Sequence, residues 1–414
     1  MKKLLGLLLA AVIAFPASAA VVKNVELKGE VQTIASDVRH NVLDATGNKV
    51  FNAGANMRAM AGLSFDVVED VSANLLFQYA YRWGDNNEDG TGFANGKDVK
   101  LVNANVVLHN LFCCLEATVG RQFYGDEDSA VMYFGPNHYN AEGLGYAKAL
   151  DAAKVAYADD VKAFTVIAGR IATMDDDIND PVTGDTFAEA TLMGADFRLH
   201  LMEDLTAQVY GYNVNDITMK NAGVTYEANG NAGIYGAKVA FAPEAFRVSA
   251  EYARNYGLRR DFLKEDGSHT GHMFKADIAA DISIVTGRAA FLYASEKFWA
   301  FGNYTPGLIV GHRLGGDIFD FTDDGVRMYN VGFDVKPAEK WTVSLDGYSF
   351  QSSRARHAAT LEADLTAKYA HNQYVELFAG AGYAKYGHEN TVFSTAAAGR
   401  KDNFKGQLGM LIKF

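Results

Sequence analysis

Three consecutive acids, Asp126, Glu127 and Asp128, stand just ahead of an apolar run, Val131, Met132, Tyr133, Phe134, Gly135 and Pro136. A free surface loop rarely carries so many apolar residues. The spacing suits a segment that folds back against its own protein and holds fixed negative charge over an aqueous gap. Two other acidic groups have ligand-like spacing. Asp85, Asn87, Asp89 and Gly90 match the opening of a calcium loop, but Gly96 stands where the bidentate glutamate would be. Asp175, Asp177 and Asn179 lack the following glycine. Solvated acidic loops are the plainer reading, and no metal or cofactor is expected. No G-x-S-x-G elbow, HExxH helix or P-loop occurs, so no enzyme is expected. A formal net charge of −12 gives no footing for nucleic acid. Cys113 and Cys114 are adjacent, too close to staple a loop, and read as bystanders or a contact between subunits.

The elements that must carry these residues alternate with period two from end to end. Val71, Ala73, Leu75, Phe77, Tyr79, Tyr81 and Trp83 form one such face. Leu361, Ala363, Leu365, Ala367 and Tyr369 form another, opposite Glu362, Asp364, Thr366 and Lys368. One apolar face and one polar face, over strands of about ten residues, is the pattern of a transmembrane β-barrel. Composition agrees, with 40 glycines, 21 tyrosines and 26 phenylalanines against 6 prolines.

Short turns are expected at Glu69-Asp70, His109 to Phe112, Asp159-Asp160, Met202 to Asp204, Pro243 to Ala245, Ile282-Ser283, Pro337 to Lys340 and His371-Asn372. Longer polar connections alternate with them, among them Gly84 to Asp98, Tyr124 to Ala149, Thr173 to Ala188 and Gly387 to Asn403. Short periplasmic turns and long extracellular loops are what barrels of the outer membrane show. The count is eighteen antiparallel strands, with sixteen as the alternative; Ala152 to Ala158 is thin and the segment around Arg288 has ambiguous parity. A basic start at Lys2 and Lys3, an apolar core from Leu4 to Phe15 and a small-residue site at Ala17-Ser18-Ala19 read as a signal peptide over residues 1–19. Residues 20–414 are then the barrel.

Parity assigns inward residues. Lys28, Arg58, Arg82, Arg198, His200, Lys238, Arg247, Lys275 and Lys368 face Glu26, Glu30, Asp66, Asp196, Glu251, Asp277, Asp281, Asp334, Asp346, Glu362, Asp364 and Glu376 across a mixed, mildly acidic lumen. A barrel of this size encloses water unless something fills it. The expected constriction is Asp126, Glu127, Asp128, Tyr133 and Phe134 on the loop against Arg82, Arg198 and Arg247 on the wall. Tyr81, Trp83, Phe123, Tyr252 and Trp299 are expected to form the aromatic girdle at the membrane interface.

Leu408, Met410, Ile412 and the terminal Phe414 alternate, with Gly406 just before. This ending resembles the assembly signal of bacterial outer-membrane proteins. Val119-Gly120-Arg121-Gln122 with Tyr124-Gly125-Asp126, and the hairpin Leu361 to Thr366 with Glu376 to Tyr383, resemble alginate-export-like porins of Gram-negative bacteria. That resemblance implies an 18-stranded barrel and a passive pore; the family's exporter passes a polyuronate through an arginine-rich lumen. The inward set here is not dominated by arginine. The expectation is a passive outer-membrane channel for small hydrophilic solutes. The alternatives are a channel for an anionic saccharide and a plugged structural or adhesive barrel. The implied partners are the bilayer, lipopolysaccharide and the outer-membrane assembly machinery, with the chain a monomer or a homotrimer.

Overall fold

A computed structural model describes residues 22–43, 49–83, 99–139, 144–145, 147–172, 185–221, 224–228, 232–257, 270–296, 298–311, 325–353, 359–387 and 402–414. Eighteen strands form one closed antiparallel ring: β1 (Lys23–Leu43), β2 (Lys49–Val68), β3 (Val71–Trp83), β4 (Lys100–Leu111), β5 (Leu115–Gln122), β6 (Ala149–Ala158), β7 (Lys162–Ala172), β8 (Asp185–Met202), β9 (Leu205–Asn221), β10 (Ala232–Phe241), β11 (Phe246–Tyr256), β12 (His272–Ile282), β13 (Val285–Ala294), β14 (Val326–Ala338), β15 (Trp341–Ser352), β16 (Thr360–Ala370), β17 (Val375–Lys385) and β18 (Asp402–Lys413). Each strand pairs with its sequence neighbours. β1 closes the ring on β18, in a register running from Glu30↔Lys413 to His40↔Asn403. Closure leaves no sheet edge unpaired, which is what a strand protein needs inside hydrocarbon.

The eight expected short turns are all present, displaced by no more than three residues. Cys113 and Cys114 lie in the turn before β5, exposed and unbridged. The outward face is apolar and bare: Val119, Met193, Val331, Leu345 and Leu365 are each about half exposed or more. Such a continuous apolar band finds its solvent in lipid tails. The signal-peptide reading and the two calcium-like loops fall outside the described residues.

The girdle needs correction. Tyr81, Trp83 and Tyr252 are outward, on β3 and β11. Phe123 instead lines an internal cavity. Trp299 is packed edge-on against Phe301, on a connection that turns into the lumen. Both lie where strand meets loop, so position along the chain gave no way to distinguish rim from interior.

Candidate functional site: a constricted lumen

The connection after β5 enters the barrel. Ser129 organises its tip: its Oγ accepts from the Val131 and Met132 amides, and its own amide donates to the Asp126 carbonyl. Tyr124–Gly125 pairs with Tyr133–Phe134 to make a two-residue hairpin. Gly125 is required there, because its φ is +85° and a Cβ would run into the Met132 carbonyl.

A second connection, between β13 and β14, joins the first. Met132 and Phe301 form a parallel bridge. Tyr133 donates to the Phe301 carbonyl at 2.8 Å, Phe301 to the Val131 carbonyl at 2.9 Å, and Asn303 to the Ser129 carbonyl at 3.0 Å. Val131, Met132, Phe134 and Phe298 are buried against inward apolar residues of the wall, including Ile167, Leu192, Ile234, Met273, Leu292, Met328 and Phe350. The loops are held by a core of their own inside the barrel.

Polar groups on the wall fix both loops. Arg58 is fully buried on β2, and its Nη2 sits 2.9 Å from Glu30 Oε1. The other Glu30 oxygen meets His138 Nε2 at 2.9 Å, and His138 Nδ1 meets Glu127 Oε2 at 2.9 Å. Burial alone would lower the His138 pKa, but the two carboxylates on its ring hold it above the ordinary imidazole value. Burial alone would raise the Glu127 pKa, but His138 holds it below the usual carboxylate range. Gln78 grips the loop's return, donating to the Gly145 carbonyl and accepting from the Ala147 amide, each at 3.0 Å. The second loop turns at Gly307, where φ is +80°. Its Leu308, Ile309 and Val310 amides then donate to the Glu362 carboxylate at 2.7, 2.7 and 2.8 Å.

What remains open is charged. A cavity of about 610 Å³ separates the Asp126–Ser129 tip from Lys154, Arg198, Lys238 and Glu251 on the wall. Asp126 is largely exposed and lies 4.0 Å from Arg198. A second cavity of about 840 Å³ shares Asp128 and Lys238 with the first and continues past Arg247, Arg288 and Tyr348. Arg247 pairs with Asp281 at 3.1 Å, and Arg288 bridges Asp334 and Asp346 at 2.9 and 3.0 Å.

The expected constriction residues therefore divide. Asp126, Asp128 and Arg198 meet across one gap, and Arg247 lines the adjoining one. Glu127 is taken up by His138. Tyr133 donates its hydroxyl to the Pro136 carbonyl, while Phe134 is buried against Phe301 and faces no open space. Arg82 is on β3, but its side chain lies outside the described residues. Lys154, Arg288 and Lys405 also point inward, so the described wall is more evenly charged than the sequence reading had it. Among the described residues no group of His, Cys, Asp or Glu is placed to hold a metal ion.

No protein-family model matches the chain, and no curated protein sequence does. Solved structures do match in fold. Pseudomonas aeruginosa OpdO superposes with a TM-score of 0.63 at 11% identity, over 96% of this chain and 99% of that one. OccK9 (OpdG) of the same organism gives 0.62 at 11%, over 94% and 99%. The outer membrane protein OpdK, also from P. aeruginosa, gives 0.60 at 10%, over 94% and 99%. The fold is that of the outer-membrane porins. The porin likeness spans nearly the whole chain, but these neighbours do not support the narrower alginate-export likeness. The motif behind that likeness also has a local explanation. Gly120 has φ +124° and no room for a Cβ beside the Ala104 carbonyl, and Arg121 keeps its outward parity and pairs with Asp151. Arg121 therefore does not face the lumen.

Proposed function

We propose that the chain is an integral outer-membrane porin, exported by its N-terminal signal peptide, that lets small hydrophilic solutes diffuse through a narrowed lumen. The observation that carries this reading is the charged gap between Asp126 and Asp128 on the inward loop and Lys154, Arg198 and Lys238 on the wall. A solute crossing there exchanges its water for fixed charges of both signs. Apolar solutes gain nothing from such a gap. The activity is passage and not catalysis. The surroundings are the bilayer and lipopolysaccharide, insertion is by the outer-membrane assembly machinery, and the chain acts as a monomer or a homotrimer. The second reading is a channel for an anionic saccharide, favoured by the three cations on one stretch of wall.

Liposome swelling tests this. Proteoliposomes should swell faster than empty ones in small neutral sugars and amino acids, and the rate should fall steeply with solute size. Swelling no faster than in empty liposomes for every solute would leave the plugged structural barrel.

A further inference from the structure

The two lumen cavities have two lining residues in common, Asp128 on the inward loop and Lys238 on β10. A solute that leaves one cavity for the other passes between them. Both are held in position. Asp128 stands between two anchored neighbours. Glu127 binds His138, and its carbonyl accepts from the Asn303 side chain at 3.4 Å. The Ser129 carbonyl accepts from the Asn303 amide at 3.0 Å. Lys238 is in register between Gln208 on β9 and Glu251 on β11. Two and four residues on, Ala240 and Ala242 line the second cavity, so small side chains leave the lysine room to reach the passage.

The charges around this neck are already matched. Arg198 has Asp126, Arg247 has Asp281, Arg288 has Asp334 and Asp346, and Lys275 has Asp277. Lys368 lies over the Tyr139 ring. Among the acids, Asp196 accepts from Gln208, and Glu251 from the Tyr210 hydroxyl at 2.7 Å. Among the described residues, Asp128 and Lys238 make no hydrogen bond or ion pair. Lys154, at the first cavity alone, is the one other lining charge in that state. The neck is thus an opposed pair of charges that stays open and is solvated by cavity water.

We propose that Asp128 and Lys238 form the selectivity neck of the lumen, favouring solutes that carry an ammonium and a carboxylate group together. Such a solute replaces the water on both side chains with charge-assisted hydrogen bonds. An anion alone satisfies Lys238 but is repelled by Asp128, and a cation alone meets the reverse. A neutral solute displaces water without matching either charge. The inference rests on the channel reading above and names the solute class that its constriction takes.

Alanine, lactate, alaninamide and lactamide test it, because they match in size and carry both charges, the negative one, the positive one and neither. Uptake is measured in proteoliposomes at zero membrane potential, less the uptake by empty liposomes. Alanine should enter at least about threefold faster than the other three. Lys238→Gln should move the ranking toward alaninamide and Asp128→Asn toward lactate, with the lead of alanine lost in both. Lys162→Gln, at a short turn outside the lumen, should leave the ranking unchanged. Heat-modifiable gel mobility confirms that the variants are folded, and the comparison of the four solutes needs no variant. All four solutes entering the wild type at one rate, or both neck variants keeping the lead of alanine, overturns the neck and leaves the channel standing. Uptake of all four no faster than in empty liposomes overturns the channel, and the neck with it.

Discussion

The Asp126 carboxylate on the inward loop stands 4.0 Å from the Arg198 guanidinium on β8, and both side chains border the same cavity. The pair is too exposed to add much stability, since such contacts give about 0–1 kcal/mol. Its effect belongs to transport. Asp126→Asn with Asp128→Asn should shift the reversal potential of a salt gradient toward anions, with stability changed by no more than about 0.5 kcal/mol. An unchanged reversal potential would mean that ions pass elsewhere.

His138 makes the loop's attachment depend on pH. Its pKa is raised above the ordinary 6.5, so its share of the clamp is full below that value and is lost as pH rises through the raised value. The Glu127 pKa is lowered below the ordinary 4.5, so its share is full above that value and is lost as pH falls through the lowered one. The loop should be held best between these windows. Current noise recorded across alkaline pH should increase in the wild type, while His138→Gln should be noisy already at neutral pH. Identical noise in both proteins at neutral pH would count against the clamp.

Glu362 is the acceptor for three consecutive amides of the second loop. Glu362→Ala leaves the Ile309 and Val310 amides without their carboxylate, while Leu308 keeps the Asp364 carboxylate at 2.9 Å, at a cost of about 2 kcal/mol or more to the loop's attachment. The barrel should still form, and its single-channel conductance should rise. Glu362→Gln, which keeps one acceptor oxygen, should lie between the two. A conductance equal to wild type in the alanine variant would show that the loop is fixed by its apolar contacts alone.

Phe414 joins the two ends of the chain. Its amide donates to the Gly29 carbonyl at 3.0 Å, and its carbonyl accepts from Gly29 at 2.8 Å. Deleting Phe414 should lower the amount of heat-modifiable barrel in outer-membrane fractions several-fold, because the last strand loses both its terminal aromatic and a closing hydrogen-bond pair. Normal levels would remove Phe414 from any role in assembly.

Strand positions were legible because a barrel wall repeats one rule, apolar to lipid and polar to water, and the turns interrupt it. The rule weakened where a second apolar surface covers the inner face. Leu150 and Ala152 on β6 point inward and are buried under the loop core, which is why that strand read as thin. Arg58 and Glu30 were legible as inward. Their link to His138, 108 residues from Glu30 in sequence, was not, because periodicity assigns faces only within strands. The inward turn of the first loop could be anticipated from Val131 to Pro136. Its partner at Phe301 carried a similar signal in Phe298 to Phe301, of which Trp299 was read as part of an interface girdle. Lys154 and Arg288 were missed as lumen cations for the same reason that their strands were ambiguous.

Single-channel recording in a planar bilayer tests the central claim most directly. The wild-type chain should give discrete current steps without added energy, small for an eighteen-stranded barrel because two loops occupy the lumen. Glu362→Ala, checked for heat-modifiable mobility, should give larger steps. A folded, inserted barrel that gives no steps in either form would contradict the account and leave the lumen plugged.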